Sequence, residues 1–230
     1  MRLLVFLVFI AISLGGYAQN NKVNIRVVKD SSGQVLPAEV WQGLMLKGHY
    51  KLKAENPGKA DTEYFIVRLT EEEYKARMEA LPKPKPSSAF TNGKKLKGFK
   101  AVDIEGDLIN LFNAKEKIIV LNFWFINCRP CRLEMPELNN LVDSFKNEDI
   151  IFAAIGLDQE DAIKKFLETN PFKYKIIPDG RTIASNLGIK SYPTHAIIDK
   201  EGKVYFHTSG LASNTIYWVE KSIKELLDSE

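Results

Sequence analysis

Apolar residues in this chain come as short blocks separated by polar turns, and the blocks switch between two periods. The densest, Ile118 to Phe125, is β-branched and aromatic and stops at Asn127, which predicts a buried strand. A helical pattern follows from Pro130, with Leu133, Leu138, Leu141, Val142 and Phe145 on its apolar side. Pro136 lies inside it, where a kink is expected. Ile150 to Leu157 reads as a second buried strand, Ala162 to Leu167 as a helix and Tyr174 to Ile177 as a short strand. Thr182 to Leu187 reads as a short helix closed by Gly188. Ala196 to Ile198 and Val204 to His207 flank a turn at Lys200 to Gly202 and predict a hairpin, after which Ser213 caps a last helix to Leu227. Upstream, Phe99 to Asp103 and Leu108 to Phe112 predict another hairpin leading into this set. Strands alternating with helices, then a hairpin and a helix, give an α/β fold with a mixed sheet over residues 95–230.

The N-terminal pattern is weaker. Asn24 to Leu36 predicts a hairpin around a turn at Asp30 to Gly33, Met45 to Lys53 alternates loosely, and Glu63 to Leu69 reads as a strand. Thr70 and Glu73 make a capping box for a helix to Ala80. Pro82, Pro84 and Pro86 then enforce an extended chain. Residues 19–81 are therefore expected to form a small, mostly β domain, and 82–94 a Pro-rich linker. Met1 to Ala18 has the form of a signal peptide: Arg2, an apolar Leu3 to Leu14 segment, then Gly16, Tyr17 and Ala18. Its apolar run is shorter than the ~20 residues of a membrane-spanning helix. Export to the periplasm with cleavage after Ala18 is expected, or membrane tethering if the leader is retained.

Composition narrows the function classes. With 32 basic and 29 acidic residues the net charge is +3, and no basic stripe interleaved with aromatics appears, so nucleic acid is not an expected partner. The chain has 2 cysteines, Cys128 and Cys131, too few for a disulfide framework, and it lacks the second CxxC of most zinc ribbons. Cys128 sits at a strand-to-helix turn, where unpaired amides and the helix dipole favour a thiolate and Arg129 adds positive charge. Pro130 falls in the first turn, where a missing N–H costs nothing. Two cysteines so placed can close and open a small disulfide ring, with Cys128 as nucleophile and Cys131 as resolving thiol. His49 reads as a surface histidine.

These residues carry a family resemblance. FWFINCRPCRLEMPEL, with Pro136 five residues after the second cysteine, and the distant SYPTHAIID resemble the active-site segment and cis-proline loop of the thioredoxin superfamily. Within it they look most like the ResA/TlpA-like periplasmic thiol-disulfide oxidoreductases. The resemblance covers residues 95–230 and implies a thioredoxin-like fold with a central αβ insertion and a hairpin in front. It implies a disulfide reductase in which Glu134, three residues after Cys131, takes that thiol's proton. It implies a cis peptide at Pro193 facing the CxxC, substrate contacts at Trp124, Tyr192, Pro193 and Thr194, and redox tuning by Arg129 and Pro130. Asn122 and Ala154 stand where plain thioredoxins carry a buried Asp and its Lys partner, and Asn127 departs from the family's usual Trp. The implied partners are disulfide-bearing exported proteins, with cytochrome c maturation as one setting, and a membrane dithiol donor. No metal and no cofactor beyond the redox-active disulfide are expected. Two alternatives stand beside this reading. One is a disulfide oxidase. The other is a Sco-like copper chaperone using His195 or His207, a family that spaces its cysteines by three residues. A peroxiredoxin would need Thr where Phe125 stands.

Overall fold

The structure, a computed structural model, describes residues 27–46, 48–59, 62–112 and 116–229. The leader and the start of the expected N-terminal hairpin lie outside these residues. The chain divides into two compact units, one of residues 1–41 and 52–67, the other of 42–51 and 68–230.

The first unit holds most of a three-stranded sheet of order β1-β3-β2, from β1 (Val28–Lys29), β2 (Tyr50–Ala54) and β3 (Tyr64–Arg68). β1 pairs in parallel with β3, and the expected turn is present: Asp30 Oδ1 accepts from the Ser32 and Gln34 amides and Gly33 takes a positive φ. The returning arm is only a bridge, Lys29 to Val35, not a strand. Helix α1 (Ala38–Leu46) was not expected; Pro37 precedes it, and its carbonyl accepts from Val40 and Trp41.

In the second unit, α2 (Glu71–Ala80) starts at the expected capping box on Thr70 and Glu73. A short hairpin, β4 (Lys100–Val102) and β5 (Leu108–Asn110), precedes the main sheet. That sheet has the order β10-β9-β6-β7-β8, from β6 (Ile118–Trp124), β7 (Ile150–Gly156), β8 (Lys175–Ile177), β9 (Thr194–Ile198) and β10 (Val204–Ser209). β6 is central, parallel to β7 and antiparallel to β9. The helices are α3 (Arg129–Ser144), α4 (Glu160–Leu167), α5 (Arg181–Leu187) and α6 (Thr215–Asp228). All seven residues of β6 are buried because both faces of the sheet are covered. Ile118, Val120 and Trp124 belong to a core with Leu138, Leu141 and Phe145 of the α3 region, Ile163 of α4, and Val219 and Ile223 of α6. Ile119, Leu121 and Phe123 belong to the opposite core, with Ile109, Leu111 and Ala184. The alternation puts Asn122 on the α3 side.

Several local expectations change. Leu133, placed on the apolar side of α3, is 54% exposed; the buried positions there are Cys131, Glu134, Met135, Leu138 and Leu141. The cap of α6 is Asn214, not Ser213, and its Nδ2 donates to Met78 O and Pro82 O at 3.1 Å each. Residues 82–94, expected as a linker, lie along the second unit. Thr208 Oγ1 donates to Lys85 O (2.9 Å), the Ser87 amide donates to His207 Nδ1 (3.0 Å), and the Gly93 amide donates to Val204 O (2.8 Å). The chain thus divides near residue 68 and not at the Pro-rich stretch. Among the described residues no helix is long and apolar enough to cross a membrane.

Candidate active site

β6 delivers the chain to the carboxyl-terminal end of the sheet, and three backbone amides tie down the turn before α3 begins. The Leu157 amide donates to Trp124 O (3.0 Å), the Ile126 amide to Asp158 Oδ2 (2.7 Å) and the Cys128 amide to Phe125 O (3.0 Å). Cys128 is the N-cap of α3, and its Sγ accepts from the Cys131 amide at 3.3 Å. Pro130 occupies the first turn as expected, and the helix runs through Pro136 to Ser144. Cys128 and Cys131 are joined as a disulfide. Cys128 is the more accessible, at 4% against 1%.

The loop before β9 closes the site from the other side. The Tyr192–Pro193 peptide is cis, and the Tyr192 ring meets Phe125 edge to face at 5.5 Å. Burial pushes the Tyr192 phenol up, against a smaller opposing effect of Arg181. The Gly210 amide donates to Pro193 O (2.8 Å), and Thr194 Oγ1 turns inward to donate to Ser191 O (2.7 Å). Thr194 is buried, so its hydroxyl does not face a substrate. Trp124, also expected at the substrate surface, is wholly buried, with Phe166 and Phe172 at centroid distances of 5.7 and 5.9 Å. It backs the cysteines from within the core. Arg129 and Asn127 are exposed beside Cys128.

Glu134 lies one helical turn beyond Cys131 and is 3% exposed. It does not stand alone. Asn122 Nδ2 donates to its Oε1 at 3.2 Å, and His195 Nε2 stands 2.9 Å from the same oxygen. Asn122 and His195 are cross-strand partners on β6 and β9. Sequence reasoning weighed His195 only as a copper ligand and missed this pairing. The signal available was polar residues inside two otherwise apolar strands, Asn122 in β6 and Thr194 and His195 in β9. His195 Nε2 thus stands against Glu134, and His207 Nδ1 accepts from the Ser87 amide. Tyr174, just ahead of β8, is wholly enclosed; burial and then the Glu134 charge push its phenol well up.

The comparisons agree with this geometry. The model of the AhpC/TSA family matches residues 92–207. Thiol-disulfide oxidoreductase ResA of Bacillus thuringiensis (strain Al Hakam) is 37% identical over 114 residues, 49% of this chain and 66% of that protein. ResA of Bacillus thuringiensis subsp. konkukian (strain 97-27) is 36% identical over 120 residues, 51% of this chain and 69% of that protein. A crystal structure assigned as thiol:disulfide interchange protein DsbE from Chlorobium tepidum aligns with a TM-score of 0.56 and 25% identity, covering 60% of this chain and 99% of that one. The chain belongs to the AhpC/TSA family, and its second unit carries the fold of a thioredoxin-like thiol-disulfide oxidoreductase. The match spans about two thirds of the length of the first of these relatives, 66%.

Proposed function

We propose that this protein reduces disulfides of exported proteins through a Cys128–Cys131 dithiol/disulfide cycle. The observation that carries the reading is the cysteine pair at the N-terminus of α3 with a buried carboxylate one turn further on. In the reduced form the Cys131 amide, now on Cys128 Sγ, is in place to stabilise a Cys128 thiolate. That thiolate attacks a substrate disulfide, forms a mixed disulfide and expels one substrate thiolate. Cys131 gives its proton to Glu134 and attacks Cys128 Sγ. The second substrate thiolate leaves, and two electrons have passed from the dithiol to the substrate. A membrane dithiol donor restores the reduced pair. The substrate chain meets the cis-proline loop through the backbone of Tyr192 and Pro193, flanked by the half-buried rings of Phe125 and Tyr192. Signal-peptide form in Met1 to Ala18 supports export.

The test is insulin disulfide reduction followed by rapid quench. Wild-type protein should turn over, and Glu134→Gln should attack normally but accumulate mixed disulfide. The resolving step should slow by about 10²–10⁴-fold, the usual contribution of a positioned base. Turnover of the Gln variant at the wild-type rate would leave Glu134 a structural carboxylate.

A further inference from the structure

Buried polar side chains gather at one point beneath the cysteines. Asn122 on β6, Glu134 on α3 and His195 on β9 are 1%, 3% and 0% exposed. Asn122 Nδ2 lies 3.2 Å from Glu134 Oε1 and 3.4 Å from His195 Nδ1. His195 Nε2 lies 2.9 Å from the same Oε1.

Donor and acceptor chemistry fixes the protons. A carboxylate oxygen only accepts, so the Asn122 amide nitrogen must be the atom that faces it. The other N–H of that amide meets His195 Nδ1, which must therefore carry a lone pair. A neutral imidazole has one N–H, and it is left on Nε2, against Glu134. A nitrogen lone pair and a carboxylate oxygen at 2.9 Å would repel, so a proton lies in that gap. The N–H is not aimed straight at the oxygen: His195 Nε2, like Glu134 Oε2, is buried without an aligned hydrogen bond. Oε1 thus has two N–H groups against it, and Oε2 has none. Cys131 lies one turn earlier on the same helix, and the enclosed Tyr174 phenol, which feels the Glu134 charge, also lacks a partner.

We propose that His195 is a positioning residue for the resolving step: with Asn122 it holds Glu134 Oε1 and leaves Oε2 as the atom that takes the Cys131 proton. The inference rests on the reading of Glu134 as the base. The Cys131 S–H bond breaks, an O–H bond forms at Oε2, and the electron pair stays on sulfur. The Cys131 thiolate then forms the bond to Cys128 Sγ as the Cys128–substrate bond breaks, and the leaving thiolate takes up the proton. The only oxidant is the substrate disulfide.

The test is the pH dependence of the resolving step, read by rapid quench in wild type, Glu134→Gln, His195→Leu and His195→Gln. Loss of the N–H donor in His195→Leu should displace the acidic limb, so that the resolving rate on that limb falls about tenfold, the worth of one hydrogen bond to a charged group. The first attack by Cys128 should be unchanged. His195→Gln keeps an N–H donor and should restore the limb. If Glu134→Gln slows resolution while His195→Leu leaves the limb in place, His195 only packs and the proposal is overturned with the base intact. If Glu134→Gln has the wild-type rate and profile, the base reading itself fails and takes this proposal with it. A measurement on the unaltered protein covers the case in which His195→Leu does not fold. The chain has 3 histidines, so ¹⁵N NMR can assign the His195 ring by difference from His49→Gln and His207→Gln. A proton on Nε2 with Nδ1 bare is expected, and a proton on Nδ1 would overturn the assignment.

Discussion

Cys128 and Cys131 differ by position more than by chemistry. Cys128 caps α3 and receives the Cys131 amide, whereas Cys131 sits a turn deeper, beside a buried carboxylate. Cys128→Ser should therefore abolish insulin reduction, and Cys131→Ser should trap substrates as mixed disulfides through Cys128. Mass spectrometry of the adducts checks this; adducts formed through Cys131 in the Cys128→Ser protein would reverse the roles. A second residue has a separate pH signature. Burial holds the His207 imidazole below its ordinary value, and its Nδ1 accepts from the Ser87 amide, which needs the neutral ring. The unfolded chain binds this proton first. The His207 contribution is thus complete above about pH 6.5 and is lost as pH falls through that value toward the folded-state one. Melting curves from pH 8 to pH 5 should show a smaller drop for His207→Gln, whose side-chain oxygen can still accept, than for wild type. Equal drops would remove His207 from the account.

At the scale of elements, the strand-turn-helix unit from β6 to α3 was legible because each signal agreed: an apolar β-branched run, then Pro130 in a first turn, then helical spacing. The cis-proline segment was legible only through resemblance. What stayed hidden was tertiary. Leu133 reads as a core position, yet the face of α3 that turns inward carries Cys131, Glu134, Leu138 and Leu141. Asn122 and His195 are 73 residues apart and meet only through strand register. Trp124 is a substrate contact only by resemblance, and strand alternation points it into the core. The turn into α5 offers a sharp packing test. A Cβ on Gly180 would lie 2.2 Å from Ile155 Cγ2 and 2.9 Å from Gly156 O. Gly180→Ala should cost about 1–3 kcal/mol, the usual penalty of overpacking. Urea denaturation measures it, and an unchanged midpoint would contradict the packing.

For the molecule as a whole, the Pro-rich stretch 82–94 read as a spacer because alternate prolines favour extended chain. Extended chain, however, can also lie on a surface, and this stretch does so within the second unit. Met78 is 1% exposed, Glu79 accepts from Tyr217 Oη at 2.7 Å, and Asn214 is satisfied by Met78 O and Pro82 O. A chain beginning at Arg68 keeps these contacts, and one beginning at Ala89 loses them. Both should retain turnover, but the shorter should be less stable, with about 1–3 kcal/mol from the buried Asn214 amide alone. Coincident denaturation curves would show that residues 68–88 contribute nothing. The central claim is that the cysteine pair works as an exported reductant, and its most direct test is the redox state of Cys128 and Cys131 in growing cells. Acid quenching followed by alkylation of free thiols reads it by mass. A mostly dithiol pair at steady state, oxidised when the membrane dithiol supply is interrupted, is the expected result; a mostly disulfide pair in untreated cells would contradict it and mark the protein as an oxidase.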